Sequence, residues 1–79
     1  VEEKIKELTL LLLYLTSWEE KAGNDTINRS WKGYPFEILD KLNEQDYIYG
    51  SKTSKSVYLS DEGMNLAKEL EKKYFGKNH

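Results

Sequence analysis

The stretch from Phe36 to Leu70, FEILDKLNEQDYIYGSKTSKSVYLSDEGMNLAKEL, constrains the fold more than any other part of the chain. Phe36, Ile38, Leu39 and Leu42 make the apolar face of a helix predicted from Pro35 to Gln45. Proline suits its first turn, where the missing N–H would have had no partner anyway. Tyr47, Ile48 and Tyr49 then read as a strand, Gly50 with Ser51–Lys55 as a polar turn, and Val57–Leu59 as the returning strand. Strand alternation puts Val57 and Leu59 on one face and Tyr58 on the other, where Tyr47 or Tyr49 lies opposite it. Ser60 is a good N-cap, and Asp61 and Glu62 fall in a first turn that favours anions. Leu66, Ala67, Leu70 and Tyr74 make the inward stripe of this last helix, and Gly76 stops it. Such an order predicts an α+β class, mainly α. It has three helices with a two-stranded β-hairpin before the C-terminal one, because a lone hairpin needs helices beneath it.

Seventy-nine residues with no linker or repeat form one domain, 1–79, with one small core. From about Glu3 to Trp18 the pattern is helical, with Ile5, Leu8, Leu12 and Leu15 on one face. Leu10, Leu11 and Leu13 spread leucine around the rest of the circumference. A helix so apolar must be covered on most sides. Either the other helices cross it, or it forms a homodimer seam through Leu10, Leu11 and Leu13. Lys21 to Gly33 loses periodicity and reads as a loop, or a loop holding a short irregular helix.

Charge is uneven. Residues 1–46 carry ten acidic against six basic side chains, whereas 47–60 carry only Lys52 and Lys55. The formal net charge of −2 is unfavourable for nucleic-acid binding, which rests on neutralising phosphates. No cysteine is present, which removes disulfides and thiolate metal sites and fits a reducing cytoplasm. With one histidine, His79, at the end of the chain, transition-metal ligands are almost lacking and no cofactor is implied. The longest apolar run, Leu10 to Leu15, is far short of a membrane span. Adjacent acids such as Glu19 and Glu20 do not face each other on a helix, and no phosphate-cradling or nucleophile-bearing glycine motif occurs. The expectation is a binding module, not an enzyme.

The run from Leu39 to Ala67, L-x-x-L-x-x-x-x-Y-I, a Lys/Ser-rich turn, then V-Y-L-S-D-E-G-x-x-x-A, resembles the MarR and PadR classes of winged-helix regulators. There a Leu-[ST]-x-x-Gly segment starts the helix after the wing; here it is Leu59, Ser60, Asp61, Glu62 and Gly63. The whole chain, with SWKGY at Ser30–Tyr34, also resembles a group of short uncharacterised bacterial proteins. The winged-helix resemblance implies that the helix near 35–45 occupies the recognition position and that Ser51–Lys55 is the wing tip. Its DNA-contact roles carry over only to the wing, at Lys52 and Lys55 with Ser51 and Thr53 as neutral phosphate donors.

Two functions follow as expectations. The first is regulator-like binding of double-stranded DNA through the wing together with Arg29 and Lys32, which stand among Trp31 and Tyr34, whose rings could stack on unpaired bases. The competing use of that cluster is structural: Trp31 and Tyr34 fill the gap of an absent second helix, and Arg29 pairs with Glu19 or Glu20. Lys52 and Lys55 likewise either hold phosphate or simply keep a turn soluble. The second function is a protein-interaction module without DNA binding. It would present Glu37, Asp40 and Glu44, or the leucine-rich first helix, to a basic or amphipathic protein partner.

Overall fold

A computed structural model describes residues 1–50 and 53–76. Among them lie helix α1 (Glu2–Leu15), strands β1 (Trp18–Ala22) and β2 (Asp25–Trp31), helix α2 (Phe36–Glu44), strands β3 (Ile48–Tyr49) and β4 (Ser56–Leu59), and helix α3 (Asp61–Phe75). The fold is α+β, about half helix, with one antiparallel sheet in the order β1-β2-β4-β3. No helix among the described residues is long and apolar enough to cross a membrane.

The segment 21–33, read from sequence as a loop, is instead most of a β-hairpin. Gly23 and Asn24 form its two-residue turn between the paired Ala22 and Asp25, with Gly23 at φ 67°. Glycine at the first central position is what a type II′ turn requires, and its twist matches that of the strands. As a result the C-terminal hairpin is not a two-stranded wing standing alone. β4 is flanked by β3 on one side and by β2 on the other, where Arg29 faces Tyr58 and Ser30 faces Val57. The Tyr58 partner is Tyr49, with rings 5.4 Å apart.

The three helices pack against one face of this sheet. Leu10 and Leu13 from α1, Leu39 and Leu42 from α2, and Ala67 and Leu70 from α3 meet Ile48, Val57 and Leu59 in a single core. Leu10, Leu11 and Leu13 are at most 3% exposed, so they are core side chains and not available as a dimer seam. The reason is rotational: α1 turns this side toward α2, α3 and β2 and leaves the Ile5–Leu15 stripe facing solvent. Tyr34 does pack on the core, but Trp31 is 64% exposed, because β2 turns it to the outer sheet face. Phe36, expected inward, is also exposed, at the first turn of α2.

One junction holds the C-terminal half together. Asp46 takes a positive φ of 63°, turning the chain from α2 into β3. The Ser60 hydroxyl accepts from Gly63 N–H at 2.9 Å and donates to the Asp46 carbonyl at 2.5 Å. Gly63 packs so closely on Tyr47 that a Cβ there would lie 2.1 Å from the Tyr47 carbonyl oxygen. The Leu-Ser-x-x-Gly segment therefore has a backbone role: cap, clamp and close approach.

Candidate interaction groove and the placement of the basic residues

Glu37, Asp40 and Glu44 follow i, i+3, i+7 and so share one face of α2. All three are exposed. Asp40 and Glu44, with Asn43, form one wall of a cavity of about 550 Å³ between α2 and the sheet. Its apolar lining is Leu39, Ile48 and Val57, with the exposed Phe36 at the helix start. Gly50 belongs to the lining too; a Cβ there would come within 3.2 Å of the Ser56 carbonyl and the Val57 side chain. Among the described residues, Lys32 is the one basic side chain that lines it. The neighbouring Lys41 is engaged elsewhere, in an ion pair with Glu2 that ties α2 to α1.

The basic cluster expected around Arg29 and Lys32 is divided by the sheet. Arg29 lies on the outer face beside Tyr58, its guanidinium 5.8 Å from the ring centroid. It pairs with Glu20 at 3.2 Å and donates to Ser56 Oγ at 3.0 Å. Trp18 and Trp31 lie on the same face with ring centroids 5.0 Å apart, and Trp18 Nε1 donates to Glu20. Lys32, one residue past the strand, lines the groove on the helix side instead. In the turn, Thr53 and Lys55 are exposed, while Ser51, Lys52 and His79 lie outside the described residues.

Two other polar sites have clear structural roles. Glu7 on α1 accepts from Tyr74 Oη at 2.7 Å and from Lys73 Nζ at 3.1 Å, joining α1 to α3. Those two hydrogen bonds hold the Glu7 carboxyl below its ordinary range, and the same contact pushes the Tyr74 phenol and Lys73 ammonium up. A second hollow of about 380 Å³ sits where β2 and β4 meet the start of α3, bordered by Tyr49, Tyr58, Asp61 and Glu62. Desolvation, then the carboxylates of Asp46 and Glu62, push the Tyr49 phenol up from its ordinary value. Among the described residues no three His, Cys, Asp or Glu side chains come together as metal ligands would.

Sequence reasoning placed the acids of the groove but not its apolar floor. Leu39, Ile48 and Val57 read as core and are core; they also form the bottom of an open cavity, which no periodicity records. A signal for the lip did exist, in Phe36 directly after Pro35, where a first-turn side chain has less helix around it.

Comparison with known proteins agrees over the whole length. The chain is 35% identical over 75 residues to the uncharacterized protein y4hR of Sinorhizobium fredii (strain NBRC 101917 / NGR234), covering 94% of this chain and 92% of that protein. No solved structure matches. The model of a domain of unknown function, DUF6429, matches residues 1–77, and the chain belongs to that family.

Proposed function

We propose that this protein is a non-enzymatic interaction module that holds a short basic, amphipathic segment of a partner protein in the groove beside α2. The observation that carries this reading is the pairing of an apolar floor with an acidic wall. Phe36, 73% exposed, would pack on an apolar side chain above the nearly closed base formed by Leu39, Ile48 and Val57, and Asp40 and Glu44, with Glu37 on the same helix face, would take lysine or arginine. Apolar anchors supply affinity in such a site, and the charges supply orientation and rate of encounter. A cytoplasmic setting goes with the reading, since a chain without cysteine has no need of an oxidising compartment.

The test is fluorescence anisotropy with a labelled Lys/Leu amphipathic peptide, and with a Glu/Leu peptide as control. Binding to the Lys/Leu peptide that weakens with salt, and falls at least tenfold in Asp40→Lys with Glu44→Lys, is the expected result. Equal binding of both peptides, or no change in the double variant, would refute the groove.

A second reading, DNA binding through the turn between β3 and β4, is favoured by one observation. Lys55 and Thr53 are exposed there, in a segment, 47–60, that carries two bases and no acids. Binding to a random duplex at about 50 and 200 mM salt tests it, since each neutralised phosphate contributes about 0.9 to the logarithmic slope. A steep loss that Lys52→Glu with Lys55→Glu abolishes would support it. No binding at the lower salt would end it.

A further inference from the structure

Helix α1 has a second apolar face that the fold leaves uncovered. Ile5, Leu8, Leu12 and Leu15 are 42–46% exposed, on the side opposite the buried Leu10 and Leu13. Their spacing of i, i+3, i+7, i+10 is that of alternating a and d positions, the seam along which two helices pack. The stripe shares no residue with the groove beside α2.

Two observations bear on what covers it. First, no charged residue occurs from Leu8 to Trp18, so two copies of this seam bring no like charges together along that length. A neutral apolar stripe is complementary to itself, as a two-fold contact requires. Second, the four side chains expose roughly 300 Å² per copy, the size at which a contiguous apolar patch marks an interaction site. Two copies would bury about 600 Å² of it, below the standard interface size and in the range of weak, transient contacts.

We propose that a second copy of this chain covers the stripe, α1 packing against α1 about a two-fold axis. An area this modest gives a reversible dimer, not an obligate one. The core of each copy is complete without its partner, because Leu10, Leu11 and Leu13 are already buried.

Sedimentation equilibrium of the full chain from about 5 to 300 μM tests this, the range bracketing micromolar affinity. The mass should rise from 9.3 kDa toward twice that value. Leu8→Glu with Leu12→Glu should remain monomeric throughout, with an unchanged far-ultraviolet circular dichroism spectrum. Should that variant unfold, Ile5→Lys with Leu15→Lys at the stripe's ends repeats the test and should weaken self-association at least tenfold. A wild-type monomer at 300 μM, or a dimer that folded stripe variants leave unchanged, overturns the proposal. Neither outcome bears on the groove, which the peptide experiment tests separately.

Discussion

Helices α1 and α3 are nearly equal in length, pack against each other, and are specified in different ways. α3 carries its own boundaries: Ser60 caps it, Asp61 and Glu62 occupy its first turn, Lys72 and Lys73 its last, and Gly76 ends it at φ 76°. α1 has no side-chain N-cap bond and no basic residue in its last turn. Its position is fixed from outside, by leucines that fit between α2, α3 and β2 and by the Glu7 contact to Tyr74. A locally encoded helix can be read one residue at a time. α1 is legible as a helix from its leucines, but which of its faces is buried can only be read with its neighbours in place, and it can carry a second apolar face that serves something beyond the core.

The sharpest way to break this comparison is to truncate leucines on the two sides of α1. Leu10→Ala removes a side chain with 0% exposure and should cost about 2–5 kcal/mol. Leu12→Ala, measured in dilute solution where copies do not associate, should cost less than about 1 kcal/mol, as surface changes do. Urea unfolding of both variants checks this; equal losses would mean that the faces of α1 are assigned wrongly.

On the α3 side, Gly63→Ala forces a methyl group into the Tyr47 carbonyl and should destabilise by about 1–3 kcal/mol, the range for overpacking. Ser60→Ala should cost about 1 kcal/mol through the lost cap, and somewhat more because the Asp46 carbonyl loses its donor as well. If thermal unfolding finds Gly63→Ala as stable as the parent chain, the close approach of α3 to Tyr47 is not as described.

The smallest effect joins the two helices. Glu7 has a folded pKa below its ordinary 4.5. Its contribution is therefore complete above that value and is lost as pH falls through the lowered one. Tyr74 is shifted up from 10.0, so its contribution is complete below pH 10 and lost as pH rises through the raised value. Tyr74→Phe should flatten both arms of the stability–pH curve, the acidic one through the lost hydrogen bond to Glu7. An unchanged acidic arm would show that the phenol does not hold the carboxylate.

The same contrast explains what could be read from the chain. Residues 35–76 announce themselves through Pro35, the Val57/Leu59 alternation, the Ser60 cap and Gly76, all local features. The β1–β2 hairpin does not show in the sequence because Glu19, Glu20, Lys21 and Asp25 are poor strand formers, and its strands pair by position in the sheet. Gly23–Asn24 was a usable turn signal, unread because no apolar alternation flanked it. For the candidate sites, the acids of α2 were legible as a face. The division of Arg29 from Lys32 was not, since it depends on β2 being a strand at all.

The most direct test of the interaction groove is a nitrogen-15 NMR titration of the full chain with the Lys/Leu peptide. The account predicts shifts concentrated at Phe36, Leu39, Asp40, Asn43, Glu44, Ile48 and Gly50, with the amides of Thr53 and Lys55 unmoved. Shifts confined to the 53–55 turn or to the outer sheet face around Arg29 and Tyr58, with the α2 groove silent, would contradict it.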